Sequence, residues 1–343
     1  MHFTADTLDD LLRDVLTELI KSTHVVTPTK GATKEYTGVL LELRNPRARL
    51  SRTERKGTVF SCLGELMWYL AGSDELAFMT YYVPGYGEYS DDGQTVHGAY
   101  GPRLFGMHGV NQIENVAALL KANPNSRRAV IQLFDASDLT KRFADVPCTC
   151  TIQFLARDGD LQAVVYMRSN DAYLGLPHDI FCFTMLQEML ARRLGLDVGV
   201  YKHCVGSLHM YDEHLAEVQQ YLTEGYQPTL SVAMPPMPLG DPRPAISRVL
   251  EAETAIRAGT ATPDLTRLDP YWCDLIRLLR IFASAKRDDW LGMEQLKSQM
   301  ASRLYDSYVL RRQDRAQAKA NQQFEASKIL EGGDVGSASE EST

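Results

Sequence analysis

Apolar residues recur at helical spacing from the start of the chain. Leu8, Leu11, Leu12, Val15, Leu16 and Leu19 fall on one face, which predicts an amphipathic helix capped by Thr4 or Asp6. After a polar stretch, residues 36–44 (YTGVLLELR) read as a strand, and 57–70 (GTVFSCLGELMWYL) as a largely buried helix in which the carboxylate of Glu65 is conspicuous. Residues 78–109, rich in Gly, Tyr and Asp, have the composition of loops that shape a binding site; a helix follows over 112–122. Three strand-like runs, 127–134 (RRAVIQLF), 149–157 (TCTIQFLAR) and 161–168 (LQAVVYMR), are divided by turn formers, which predicts antiparallel pairing.

Phe181, Met185, Leu186, Met189, Leu190 and Leu194 mark a helix ending near Gly195, and 199–211 (GVYKHCVGSLHMY) returns to strand. Long helices with a multistranded sheet define an α+β class. The proline-rich segment 234–244 (MPPMPLGDPRP) reads as a boundary, and helical periodicity dominates after it. The expected organisation is a catalytic domain over 1–240, a helical extension over 241–331 and a disordered tail over 332–343.

Composition narrows the function. A chain of 343 residues that is 44% hydrophobic can bury a full-sized core. A net charge of −8 argues against a broad nucleic-acid-binding surface but leaves room for a small basic pocket around one phosphate. The six cysteines are scattered through hydrophobic segments, unlike a secreted disulfide scaffold, so reduced thiols in a cytoplasm are expected. The acidic start MHFTADTLDD does not resemble a signal peptide, and no apolar run reaches the roughly 18 residues of a membrane span.

Cys148 follows Asp145-Val146-Pro147 and opens a strand, which could hold its sulfur at a fixed backbone position, although a buried cysteine ordinarily behaves as a small hydrophobe. With Cys150 it makes a CxC pair, but zinc nucleotide deaminases need P-C-x-x-C with an upstream H-x-E, and neither occurs; no metal is expected. Residues 168–181 (RSNDAYLGLPHDIF) hold more polar chemistry than a strand-to-helix connection requires, though Ser, Asn and Asp also serve as caps there. His209 and Tyr211, two apart on a strand, could hold one ligand or be satisfied polar residues near a core. Arg127 and Arg128 could join Arg168 in a phosphate clamp or simply be solvated.

The ordered series ELMWYLAG (65–72), YG (100–101), SRRAVIQ (126–132), PC followed by QF (147–148, 153–154), RSNDAYLGLP (168–177) and GSLHMY (206–211) resembles the thymidylate synthase superfamily in order and spacing. The resemblance implies a thymidylate synthase-like fold and a homodimer with back-to-back sheets and active sites shared between subunits. It implies that Cys148 is the nucleophile, that Glu65 organises water and proton transfers, and that Arg168 binds phosphate and favours the thiolate. Arg127 and Arg128 would reach the partner's phosphate site, Ser169 would assist the phosphate, and His209 and Tyr211 would bind the sugar. Asp171 would bridge nucleotide and folate, with Tyr86, Tyr89 and Tyr100 beside the folate. The family's early phosphate-binding arginine has no clear match, and Lys30 is the substitute. The implied one-carbon donor is 5,10-methylenetetrahydrofolate, because C5 of a pyrimidine becomes a carbon nucleophile only after a thiolate adds to C6. Adding hydride to the resulting exocyclic methylene would methylate; adding water would hydroxymethylate.

Asp179, in LGLPHDI, stands where thymidylate synthases normally have an asparagine. An ionised carboxylate accepts from a cytosine 4-amino group and opposes uracil O4, so the resemblance narrows to the phage deoxycytidylate hydroxymethylases and the cytidylate hydroxymethylases of nucleoside-antibiotic pathways. Gly85, Asp145 and His178 replace commonly apolar residues, which implies a wetter pocket; small Ala172 leaves room for a 2′-hydroxyl and tilts the expectation toward CMP over dCMP. Thymidylate synthesis on dUMP and a catalytically silent nucleotide-binding paralogue are the competing readings.

Overall fold

The computed structural model of the chain describes residues 1–28, 31–51, 58–224 and 233–332, with side chains as far as 319. Strand β1 (His2–Ala5) leads into helix α1 (Leu8–Lys21), whose Leu8, Leu11, Leu12, Val15, Leu16 and Leu19 are all buried. Its cap is Thr7, which accepts from Asp10 N; Thr4 and Asp6 do not serve, because Thr4 lies in β1 and Asp6 pairs with Arg44 at 2.7 Å.

Next come β2 (Val25–Val26), β3 (Thr33–Leu43), α2 (Val59–Leu70), α3 (Leu76–Tyr82), α4 (Tyr100–Gly106) and α5 (Gln112–Ala122). The centre of the chain holds β4 (Val130–Gln132), β5 (Thr149–Arg157), β6 (Asp160–Asp171), α6 (Leu176–Leu194) and β7 (Asp197–Tyr211). Strands follow the order β1-β3-β7-β6-β5-β4, with β2 against β3. The expected antiparallel run β4-β5-β6 is present; β5 and β6 are joined through Asp158 and Gly159, whose φ angles of 53° and 88° suit a tight hairpin turn. β6 and β7 pair in parallel, which requires a crossover, and α6 supplies it. Gly195, with φ 71°, closes α6 in the left-handed conformation. The fold is α+β.

On the sheet, buried and less buried positions alternate. In β6, Leu161, Ala163, Val165 and Met167 are buried, whereas Val164 is only half-buried and Tyr166 exposed. The first set shares the core with α6, and the second lies on the opposite sheet face.

Past β7 lie α7 (Leu215–Thr223), α8 (Arg243–Ala258), α9 (Pro270–Lys286), α10 (Trp290–Ser298) and α11 (Asp306–Gly332). This helical portion packs on α2 and α3: Phe282 meets Phe60 at 6.2 Å, and the Tyr82 hydroxyl donates to Glu253 at 2.8 Å. Gly64 makes the close approach possible, since a Cβ there would lie 2.2 Å from the Tyr82 ring. The buried Arg49–Glu188 ion pair adds a tie to the 234–237 segment, where Met237 N donates to Glu188 at 3.0 Å. Among the described residues, no helix is long and apolar enough to cross a membrane.

Candidate active site

Cys148 sits one residue before β5 and is half-buried. Arg168, on the neighbouring strand β6, is brought to it by pairing: Arg168 N donates to Cys148 O at 2.8 Å. The guanidinium then grips the segment before the cysteine, with Nε donating to Pro147 O at 3.0 Å and Nη2 to Val146 O at 2.8 Å. Nη2 also lies 3.7 Å from Sγ. Burial pushes the Cys148 thiol up to about 11; Arg168 pulls it down, while Asp145 and Asp179 push it further up. The expectation that Arg168 favours the thiolate has the right sign, since Arg168 pulls the thiol down, while desolvation is the larger influence and pushes it up.

Glu65 lies on α2, accepting from the Tyr69 hydroxyl one turn on at 2.5 Å. Tyr69 packs on Tyr100 with ring centroids 5.1 Å apart, and the Tyr100 hydroxyl accepts from Thr149 N at 3.1 Å and Thr149 Oγ1 at 3.0 Å. Thus α2, α4 and the start of β5 meet at the nucleophile. Tyr86 sets its edge on Trp68 at 5.6 Å and touches Tyr89 at 4.9 Å.

The segment after Arg168 differs from a turn. β6 runs on through Ser169, Asn170 and Asp171 before α6 begins, with Pro177 in its first turn. Asp171 Oδ1 accepts from Tyr173 N and Leu174 N at 2.7 and 3.0 Å, so one of its oxygens closes that bend. Buried Asp179 stands in the first turn of α6, its Oδ2 accepting from Asn170 Nδ2 at 2.8 Å. Burial, then Glu65, push its carboxyl up to about 8 against the Asn170 hydrogen bond and His178, with Asp171 adding to the rise. The expectation of an ionised carboxylate is corrected accordingly: near neutral pH, Asp179 is mainly a carboxylic acid, with one donor and one acceptor.

His178, a polar residue where an apolar one is common, closes a network. Its Nδ1 lies 3.0 Å from Leu174 O and its Nε2 2.9 Å from Ser61 Oγ, while Ser61 donates its own proton to Thr58 O at 3.0 Å. An imidazolium can donate from both ring nitrogens, to Leu174 O and to Ser61 Oγ, whereas a neutral ring donates from Nδ1 and accepts from the Ser61 hydroxyl. Burial works against that charge, but Cys62, Glu65 and the Leu174 carbonyl outweigh it and push His178 up to about 10. Ser61 escaped notice in the sequence, although its place one turn before Glu65 on the same helix was readable.

His209, opposite Asp171 on β7, packs edge-on to Tyr211 at 5.3 Å, and His209 O accepts from Ala172 N at 2.8 Å. Ala172 is wholly buried, and Ser169 lies opposite Ser207. Arg127 and Arg128 are exposed, and Arg127 O accepts from Gln153 Nε2 at 2.9 Å. Roughly 16 Å of extended strand separates Gln153 from Cys148, so a single chain does not bring those arginines to the nucleophile. Lys30 lies outside the described residues. A cavity of about 660 Å³ opens beside the Tyr100 helix and is lined by His97, Arg103 and Asp138, but not by Cys148, Glu65 or Asp179. The candidate chemistry is thus located by convergence of side chains rather than by the shape of that cavity.

Residues 7–240 match the thymidylate synthase family. The chain belongs to the thymidylate synthase family. Among its relatives is the deoxyuridylate hydroxymethyltransferase of Bacillus phage SP01, 30% identical over 265 residues that cover 71% of this chain and 69% of the relative. The crystal structure of thymidylate synthase from T4 phage shares the fold with a TM-score of 0.54 and 23% identity, over 63% of this chain and 81% of that one.

As a member of this family, the chain is a one-carbon transferase. Enzymes of this family use methylenetetrahydrofolate, and the half-buried faces of Tyr86, Tyr89 and Tyr100 near Glu65 suit a flat heteroaromatic ring. These residues fit such a group.

Proposed function

We propose that this enzyme hydroxymethylates C5 of a cytidine monophosphate, CMP or dCMP, the small side chain of Ala172 beside the sugar motif tilting the reading toward CMP. The observation that carries the proposal is the buried acid Asp179, with its carboxyl pushed up to about 8, in place of the expected asparagine. As an acid it can donate to cytosine N3 and accept from the 4-amino group without protonating the base. When bound, methylenetetrahydrofolate supplies a one-carbon unit at the oxidation level of formaldehyde.

The chain's own residues do the rest. Cys148 Sγ adds to C6, and Arg168 holds the segment that presents it. Arg168 and Ser169 bind the phosphate, with Lys30 as a further candidate. His209 and Tyr211 take the sugar, and Asp171 lies at the nucleotide–folate border. Tyr86, Tyr89 and Tyr100 flank the folate. Glu65 organises water and proton transfers at the site, and the Ser61–His178 pair makes its surroundings polar, which favours water addition over a dry pocket.

We read the enzyme as a cytoplasmic homodimer in which Arg127 and Arg128 serve the other subunit's phosphate site. Val130 and Tyr166, 42% and 45% exposed on the uncovered sheet face, support such pairing. Residues 1–240 form the catalytic domain, and 241–331 brace α2 as an extension; the tail from 333 lies outside the described residues.

A second reading has its own support. The phage SP01 relative is named for deoxyuridylate, and a protonated Asp179 with its donor toward O4 would accept uracil. Incubating the enzyme and methylenetetrahydrofolate with CMP, dCMP, UMP and dUMP separately decides. A product heavier by about 30 Da marks hydroxymethylation and about 14 Da methylation. Turnover of uridine nucleotides alone would sink the cytidine assignment.

A further inference from the structure

Behind Asp179 runs a buried chain of polar groups that the reaction itself does not use. Asn170 Nδ2 donates to Asp179 Oδ2 at 2.8 Å, Asn170 Oδ1 lies 3.0 Å from His203 Nε2, and His203 Nδ1 lies 2.7 Å from the Tyr201 hydroxyl. Asn170 is on β6, whereas His203 and Tyr201 project inward from β7, two residues apart; all three are buried, His203 and Tyr201 completely. Gly175 leaves room beside the first bond, since a Cβ there would lie 3.2 Å from Asn170 Nδ2 and 3.5 Å from Asp179 Oδ2.

Counting protons gives this chain a direction. Burial holds the Tyr201 phenol well above its ordinary range and pushes His203 down to about 3, so the first keeps its proton and the second is neutral with one N–H. Among the described residues, the acceptor that Tyr201 meets is His203 Nδ1. The histidine proton is therefore on Nε2 and points at Asn170 Oδ1. The amide in turn must present its NH2 to Asp179. Oδ2 is thereby made the acceptor end of the acid, and the acid's own proton belongs on Oδ1.

We propose that Tyr201, His203 and Asn170 are positioning residues that lock the donor and acceptor ends of Asp179, and so decide which pyrimidine edge the site accepts. An unrestrained carboxylic acid is ambidextrous: with its proton on either oxygen, it can complement N3 and the 4-amino group of cytosine, or N3–H and O4 of uracil. A locked acid complements only one of them and meets the other with donor against donor and acceptor against acceptor. The inference rests on Asp179 meeting the base edge, but it holds whichever base is preferred.

The test measures dissociation constants of CMP and UMP, and of dCMP and dUMP, by calorimetry on the full chain without folate. Wild type should favour one base by at least about tenfold. Tyr201→Phe, which frees the histidine tautomer without approaching the ligand, and Asn170→Ser should each bring the ratio within about threefold of unity while phosphate-driven binding persists. Asp179→Ala separates the two layers. If it collapses the ratio while both relay variants, folded by circular dichroism, keep the wild-type value, the relay is refuted and the base-reading role survives. If it leaves the ratio unchanged, or wild type shows no preference, both fall. Nitrogen-15 spectra of histidine-labelled wild type require no variant to fold: His203 should stay neutral and protonated at Nε2 from about pH 5 to 9, and a proton on Nδ1 would overturn the proposal.

Discussion

Arg168 reaches to within 3.7 Å of the Cys148 sulfur while two of its nitrogens hold the carbonyls of Pro147 and Val146. One side chain thus both orients the nucleophile's segment and opposes the desolvation that raises its thiol to about 11. Removing the charge takes away the downward pull, so Arg168→Gln should move the alkylation pKa of Cys148 upward. Its iodoacetamide labelling near pH 8 should slow by at least about threefold, followed on the Cys148 peptide by mass spectrometry. Arg168→Lys keeps a charge but not the fork and should fall between the two. Faster labelling in Arg168→Gln would remove Arg168 from thiol activation.

Cys148→Ser should abolish turnover and leave nucleotide affinity within about threefold, because an alcohol is a far weaker nucleophile while the other contacts stay. The same variant tests sharing between subunits. Arg127 and Arg128 lie far along β5 from Cys148 in their own chain, so an Arg127→Ala/Arg128→Ala chain mixed with a Cys148→Ser chain should regain activity through the one site with intact parts. The ceiling is about a quarter of wild type for random pairing into dimers. Verified heterodimers without activity would speak against a shared site.

His178 gives a stability prediction with a definite sign. Its folded pKa, about 10, lies above its ordinary 6.5, so its stabilisation is complete below about 6.5 and is lost as pH rises through 10. His178→Phe should therefore be less stable than wild type at pH 6 by about 1.5–3 kcal/mol, the scale of a hydrogen bond to a charged group. The difference should shrink steadily toward about pH 10.5 in urea titrations. A pH-independent difference would show that His178 acts through packing alone.

How much of this was legible in the sequence depended on the range of the interaction. The α6 terminus at Gly195 and the hairpin at Asp158-Gly159 are set by local backbone preferences, and both were readable. Strand β1 is not legible in the sequence, because four residues pairing in parallel with β3 leave no periodic signal of their own. The site residues Cys148, Glu65, Arg168 and Asp179 stood out through ordered motifs, whereas the bond between Asn170 and His203 spans 33 residues and exists only through β6–β7 pairing. Protonation is the least readable: residue types show the arginine that lowers the Cys148 thiol, but not the burial that is the largest cause raising both that thiol and the Asp179 carboxyl.

Asp179 makes base recognition itself pH-dependent. Below about 8 the acid donates one proton toward the base; above that, the carboxylate only accepts and repels the N3 lone pair of cytosine. The groups that shift it most are Glu65 from α2, Asn170 and Asp171 from β6, and neighbouring His178, whose own pKa of about 10 keeps it charged through this range; Cys148, Cys182, Tyr69, Tyr100 and Tyr201 also feel its charge and are themselves raised. Cytosine gains or loses no proton there either. The CMP dissociation constant of wild type should thus be level up to about pH 7.5 and then rise toward tenfold per unit above 8. Asp179→Asn replaces the titrating donor with a permanent one of similar size, its amide oxygen still able to accept from Asn170. Affinity in that variant should be flat across about pH 7 to 9.5, measured by calorimetry in buffers of matched ionic strength. A wild-type profile as flat as the variant's would mean that no proton on Asp179 reaches the base, and the carboxyl would lose its place as the reader of the pyrimidine edge.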